Sequence, residues 1–417
     1  VGLFVSIHFL ILSITGSILL LNVSSKSHGT VAAHLSYDVF IKDALTRFPT
    51  DRPLALFIDG NNENIIQLRL GKNGSNQFRG ARKLSYQATS GQMIQSEDTG
   101  TSFYSFVLRI HRELLLGAFG KYYVGFIGIL FIFVLLSGGA IYGGFMRGRS
   151  YSEIRTQKMS YVYADFHKFI GATVFSWALL VGTTGVFLAF NSILFKMHQD
   201  QELGYLKNKY STPVQHHQIA SLDSITSSVL SAVPNSRISY IAFPGTEFSV
   251  PGHFLVLIKG LSGFRERVRE LVIVDAQSGK FVEHLQLPSY LKLLMLSEPL
   301  HFGNYGGLVL KVAWCCFSLL TLGLAISGFT SFVLKREKVN SIYKRVTSNI
   351  KIKLISRCRQ GSPYFFPILN AVFIVFGIIV SFLSSAIIQW IACVSLLFSV
   401  IIVVSVMLIY FKNEKKI

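Results

Sequence analysis

The run Gly2-Leu-Phe-Val-Ser-Ile-His-Phe-Leu-Ile-Leu-Ser-Ile-Thr15-Gly16 returns later as Gly171-Ala-Thr-Val-Phe-Ser-Trp-Ala-Leu-Leu-Val-Gly-Thr-Thr184-Gly185. The leading glycine and the closing Thr-Gly pair keep the same spacing in both copies. Each copy is part of an apolar run of the length, about 20 residues, that a helix needs to cross a bilayer. Working outward, Ser36-Tyr-Asp38 stands before Pro49 as Ser221-Leu-Asp223 stands before Pro234. Ala88-Thr-Ser90-Gly91 matches Ala276-Gln-Ser278-Gly279, and His111 precedes Ser137-Gly138 as His301 precedes Ser327-Gly328. Lys121 and Lys311 also keep the same offset from those histidines. An ordered series of this kind is the mark of an internal repeat. The unit that repeats is span, outer insert, span.

Composition agrees. Of 417 residues, 51% are hydrophobic and only 15% charged, with a mean hydropathy of +0.47, where soluble domains carry about 25% charged residues. Six apolar runs are long enough to span: Val1–Asn22, Tyr122–Phe145, Phe169–Phe190, Leu308–Leu334, Tyr364–Ser384 and Ala386–Phe411. The first has neither a charged leader nor a small-residue cleavage site, so it reads as a span and not as a removed signal. The expected layout has transmembrane helices at 1–22, 119–146, 167–190 and 306–334 and outer domains at 23–118 and 191–305. Connecting pieces at 147–166 and 335–363 and two closing transmembrane helices in 364–411 complete it. The fold class is a membrane protein, mainly α, with tandem span–α+β domain–span repeats forming a four-helix core.

The net charge of +19 could point to nucleic acid, but its location explains it otherwise. The segment after the second run, the segment after the fourth and the C-terminal tail together hold 17 basic residues against 4 acidic ones. The two long inserts are nearly balanced, at 11 to 8 and 10 to 9. By the positive-inside rule the basic pieces face the cytoplasm and both inserts lie outside. Nucleic acid is therefore not an expected partner; the lipid bilayer is. Cysteine agrees: Cys315, Cys316 and Cys393 lie in apolar runs and Cys358 on the cytoplasmic side. Neither insert has a cysteine for a disulfide, and there is no C-x-x-C-H for covalent haem. No P-loop, G-x-S-x-G or H-E-x-x-H occurs, and the glycines of Ser137–Gly144 follow no strand, so Gly139 and Gly143 read as helix packing.

Each insert reads as a small α+β domain. Ser221 is placed to cap a helix running to Val233, followed by strands at Arg237–Phe243, Phe254–Lys259, Leu271–Asp275 and, after a Ser278-Gly279 turn, Phe281–Leu285. Leu271-Val-Ile-Val-Asp-Ala-Gln-Ser-Gly-Lys280 resembles the end of a PepSY domain. With Thr15-Gly16, Thr184-Gly185, His301-Phe-Gly303 and the Ser-Gly turns, residues 1–335 resemble the PepSY-associated transmembrane family, which includes inner-membrane ferric-siderophore reductases. That resemblance implies an iron-uptake reductase of the bacterial inner membrane, with periplasmic domains and a cytoplasmic C-terminus. Its substrate would be a ferric siderophore or other ferric chelate; the lack of a nucleotide-binding motif in the sequence makes the expected donor a quinol or a separate reductase.

Four histidines sit in or beside spans: His8, His111, His167 and His301. Ionisable groups at membrane depth are costly, so each invites a functional reading. His111 and His301 are equivalent in the repeat, and a pseudo-twofold axis would bring them face to face. Two neutral imidazoles on opposed helices are what bis-histidine ligation of haem b requires. His167 is expected to ligate a second, cytoplasmic-side haem, with His8 as a partner or neighbour. Since His167 stands four residues before Gly171, a histidine followed by a basic residue is expected four residues before Gly2. His216-His217 are read as surface, and Arg112 and Glu113 as an interfacial charge pair. Two other classes stay open: a non-catalytic module that binds or restrains a peptidase, and a transporter built on parallel repeats.

Overall fold

The computed structural model describes residues 2–21, 35–58, 64–94, 103–210, 219–261, 263–305, 307–336, 364–381, 394–406 and 408. Along the chain, α1 (Gly2–Leu21) is followed by α2 (Tyr37–Arg47) and by strands β1 (Arg52–Ile58), β2 (Ile65–Gly71), β3 (Arg82–Gln87) and β4 (Met93–Ile94). Next come α3 (Phe103–Glu113), α4 (Gly117–Met146), α5 (Met159–Ala189), α6 (Asn191–His198), α7 (Gly204–Lys209) and α8 (Leu222–Ala232). Strands β5 (Ser236–Ala242), β6 (His253–Gly260), β7 (Arg269–Asp275) and β8 (Phe281–Leu285) lead to α9 (Ser289–Phe302), α10 (Gly307–Arg336), α11 (Phe365–Ser381) and α12 (Val394–Val406). The expected strands of the second insert are all present, with ends shifted by one or two residues.

These elements fall into two compact units, one holding the long apolar helices and one holding both inserts. In the helical unit, α1, α4, α5 and α10 are long and apolar enough to cross a bilayer. The described parts of the two closing helices are shorter, and residues 382–393, including Cys393, lie outside the described residues, as does Cys358. Helix α10 packs between α1 and α5, and α4 packs against α5. The contacts are aromatic and small-polar, as expected where water supplies no driving force between helices. Trp177 stacks on Phe317 at 5.5 Å, Phe9 stacks on Phe131 at 3.8 Å, and Trp314 is fully buried. Ser17 Oγ donates to Ser318 Oγ across the α1–α10 contact (3.0 Å), and Asn370 Nδ2 donates to the Thr173 carbonyl, tying α11 to α5 (2.6 Å). Gly143 does serve packing: its N–H donates to the Tyr364 hydroxyl at 3.1 Å.

In the other unit the two inserts share one eight-stranded antiparallel sheet of order β4-β3-β2-β1-β5-β6-β7-β8. The join is β1 against β5, with Ala55 opposite Ala242 and Phe57 opposite Tyr240, whose rings lie 4.7 Å apart. Alternating strand residues, among them Leu56, Leu68, Tyr86, Val256 and Val272, bury one sheet face against Phe40 and Ala44 of α2 and Ile225 and Val229 of α8. Joining the inserts removes two strand edges that would otherwise be exposed.

The repeated Ser-x-Asp motif explains how the two helices meet. Ser36 Oγ accepts from the Asp38 N–H, and Ser221 Oγ accepts from the Ser224 N–H, so each serine caps its own helix. The aspartates act crosswise. Asp38 Oδ1 accepts from the Leu222 N–H at 3.0 Å, and Asp223 Oδ1 accepts from the Tyr37 N–H at 3.2 Å. Each helix N-terminus, with its unpaired N–H groups and positive dipole end, thus takes a carboxylate from the other.

This clamp predicts a crossed effect. Asp38→Ala should lower hydrogen-exchange protection at the start of α8, and Asp223→Ala at the start of α2, each by the ~0.5–2 kcal/mol of a lost cap. If each substitution loosened only its own helix, the crossed arrangement would be wrong.

Candidate functional site

Neither His111 nor His301 lies on a span. Each sits near the end of a shorter helix, α3 or α9, that precedes one. A sharp break follows: Leu114 and Leu115 take positive φ (48° and 62°) before α4, and Gly303 and Gly307 do so before α10 (60° and 69°). Two consecutive non-glycine residues in the left-handed region are uncommon and costly. The break lets α3 leave the line of α4, so that His111 reaches back to α1; His301 reaches α5 in the same way. Arg112 and Arg109 pair with Glu113 at 3.0 and 3.5 Å, consistent with the charge-pair reading.

The repeated Thr-Gly pairs turn out to be the seats of these rings. His301 Nδ1 lies 3.0 Å from the Val181 carbonyl and 3.3 Å from Thr184 Oγ1. Thr184 spends its own proton on the Leu180 carbonyl at 2.8 Å, so its oxygen faces the ring as an acceptor. His111 repeats the arrangement on α1. It bonds the Leu12 backbone, its Nδ1 lies 3.0 Å from Thr15 Oγ1, and Thr15 donates to the Ile11 carbonyl at 2.8 Å. Glycine gives the ring room: a Cβ on Gly185 would stand 3.0 Å from His301 Cε1, and one on Gly16 would stand 3.2 Å from His111 Cε1, both closer than ordinary contact.

His167 has the same seat on α10. Its Nδ1 lies 2.9 Å from the Leu324 carbonyl, Ser327 Oγ donates to that carbonyl at 3.0 Å, and a Cβ on Gly328 would stand 2.8 Å from the ring. The pattern is apolar-x-x-Ser/Thr-Gly, with the carbonyl of its first residue taking the imidazole proton. Its fourth copy is Val134-x-x-Ser137-Gly138 on α4. There Ser137 Oγ donates to the Val134 carbonyl at 2.9 Å and the space beside Gly138 is open. The histidine expected four residues before Gly2 would fall outside the sequence.

A carbonyl only accepts, and Thr15 has already given its proton to Ile11, so Nδ1 carries the proton in all three rings and Nε2 is left with its lone pair. No described residue bonds Nε2 of His111 or of His301. The two rings are neighbours, with centroids 6.2 Å apart and planes at 59°. Burial, and for His301 also the nearness of His111, pushes both pKa values down to about 4. Both imidazoles are therefore neutral at pH 7. Beside His167, the buried Asp165 accepts from Arg155 Nε and Nη2 at 2.8 Å and from Lys168 Nζ at 3.2 Å, so Lys168 is already paired.

His8 differs. Its Nδ1–H donates to the Phe4 carbonyl at 2.9 Å and its Nε2 accepts from the Tyr123 hydroxyl at 2.8 Å, so both nitrogens are engaged. In the sheet-bearing unit, His284 pairs with Glu270 at 2.8 Å, and His253 bonds the Pro251 carbonyl at 3.0 Å. His28, His34, His216 and His217 lie outside the described residues. Among the described residues no three His, Cys, Asp or Glu side chains group as a metal site. The Ser/Thr-Gly repeats were visible in the sequence, but their use as ring seats was not, because the histidine always comes from another helix.

A family model described as the PepSY-associated TM region matches residues 1–335. Comparison with curated proteins finds no match.

The depressed histidine pKa values carry a pH signature. An imidazole whose folded pKa lies below its unfolded value of about 6.5 favours folding fully above that value. The contribution is lost as pH falls toward 4. The metal-free protein should lose stability through this window, and His301→Gln should flatten the loss in denaturant melts taken from pH 7 to 4. An equally steep loss in the variant would contradict the assignment.

Proposed function

The chain belongs to the PepSY-associated transmembrane family, and we propose that it is a haem b electron carrier that reduces a ferric complex. The substrate would be a ferric siderophore or similar ferric chelate, released on reduction because Fe(II) is a softer ion than Fe(III) and binds hard oxygen chelators more weakly. The observation that carries the reading is the matched His111–His301 pair. Both rings are neutral, both keep Nε2 unbonded among the described residues, and both are fixed at Nδ1 by equivalent seats. The two ring centres lie 6.2 Å apart, so both imidazoles would be available to one bound group.

His111 and His301 would hold one haem. His167 would hold a second, with the fourth seat at Val134–Gly138 suited to receive its partner imidazole. When bound, haem supplies reversible one-electron chemistry. The chain's own residues do the rest. Thr15 and Thr184, with the carbonyls of Leu12, Val181 and Leu324, hold the rings in one tautomer and would raise the basicity of Nε2, the usual role of groups bonded to a metal-ligating histidine. Gly16, Gly185 and Gly328 make the space for that approach. The charge pattern supports placing the inserts in the periplasm and the basic pieces in the cytoplasm of a bacterial inner membrane. A quinol or a separate reductase would be the donor.

Detergent-purified protein from haem-replete cells should show a Soret band and, on adding dithionite, the sharp α band of b-type haem. His111→Ala and His301→Ala should each abolish the outer haem, while His217→Ala leaves the spectrum unchanged. Gly328→Val should selectively disturb the inner one. Full haem content in both single histidine variants would overturn the pairing. No haem at all would leave the reading as a partner-binding module.

A further inference from the structure

His8 and Tyr123 form a polar pair at the contact between two spans, α1 and α4, where the fold does not require one. The repeat places Trp177 and Ala313 at the equivalent positions in the second half. Both are buried, and Trp177, whose indole N–H has no partner among the described residues, is closed in by the stacked Phe317. The first half instead carries a hydroxyl and an imidazole, groups that are costly at membrane depth and persist there for a use.

The pair has a direction. The Phe4 carbonyl takes the proton on His8 Nδ1, and His8 Nε2 takes the proton of the Tyr123 hydroxyl. That leaves the phenolic oxygen at the end of the chain as an acceptor with a lone pair to offer. Around it lie flat rings. Phe4 is 4.6 Å from His8, and Phe119 stacks with Tyr123 at 6.3 Å. The surface beside the pair is open and apolar: Phe119 is 71% exposed, and Phe4, Ile7, Ile11 and Phe126 are also exposed. A ligand for this place must arrive through the acyl chains, present a flat ring, and donate a hydrogen bond from a hydroxyl.

We propose that the His8–Tyr123 pair is the docking site of a membrane-dissolved quinol, whose ring hydroxyl donates to the Tyr123 oxygen while Phe4 and Phe119 flank the ring. The proposal deepens the electron-transfer reading by choosing the donor and rests on that reading for its purpose, though the binding site stands on its own geometry. It also gives His8 a role other than haem ligation. The relay favours the quinol over the quinone, because a quinone oxygen could be met only if Tyr123 withdrew its proton from His8.

The test uses the full chain in lipid nanodiscs and a photoreactive azidoquinone, with decylubiquinol as competitor. Label should fall on the Phe4–Ile11 or Phe119–Phe126 segments and be suppressed by the competitor. Tyr123→Phe should weaken competition by about five- to tenfold, the worth of one hydrogen bond, with haem absorption unchanged from wild type. Label confined to other segments, or competition equally strong in Tyr123→Phe, would overturn the site. The absorption spectrum of the same sample separates the two readings: a haem-free chain that labels as stated keeps the quinol site and loses the reductase.

Discussion

The helical unit depends on one contact used three times, an imidazole Nδ1–H held by a carbonyl one turn before a Ser/Thr-Gly pair. The carbonyl fixes the tautomer, a threonine hydroxyl braces the ring at His111 and His301, and the glycine admits it. Each requirement constrains the sequence elsewhere. The seat must lie on a different helix from its histidine, so α3 and α9 must break away from α4 and α10. The break over Leu114 and Leu115 is the strained backbone that achieves this. A buried histidine loses hydration whichever state it adopts, and here that cost is offset by a bond to Nδ1 in a geometry that keeps it neutral. The outcome is a pair of neighbouring rings, 6.2 Å between centres, each with Nε2 unbonded among the described residues.

The sheet-bearing unit solves a related problem with the same duplication. A single four-stranded insert would leave the β1 edge exposed, and two of them cancel that edge by pairing. Asp38 and Asp223 then link the two helices, which the serine caps, each bonded within its own helix, do not. Duplication also gives a control within the chain. Where the halves agree, as at the ring seats, equivalent residues make equivalent contacts. Where they differ, as at His8 and Trp177, a hydrogen-bonded polar pair in one half stands against packed aromatic rings in the other.

Much of this was legible in the sequence. The four long spans followed from apolar length, and the Ser221 cap and the strands of the second insert followed from local turn and alternation signals. The repeat was readable, and it placed His111 opposite His301. What stayed hidden was long-range. Nothing local in Leu54–Phe57 announces that it pairs with Tyr240–Ala242, since strand pairing across nearly two hundred residues leaves no periodicity. The crossed use of Asp38 and Asp223 was invisible for the same reason, as was the bond from Tyr123 to His8. The helix ends before α4 were missed because Leu114 and Leu115 carry no glycine or proline to mark the break.

The central claim is that the seated pair binds one metal centre through two neutral imidazoles. Low-temperature electron paramagnetic resonance of the oxidised, purified protein tests it most directly. The account predicts a low-spin ferric signal of bis-nitrogen character from the outer site, and that contribution is lost when either His111 or His301 is replaced by alanine while the inner-site contribution stays. A spectrum without any ferric haem signal, or one indifferent to both substitutions, would contradict it.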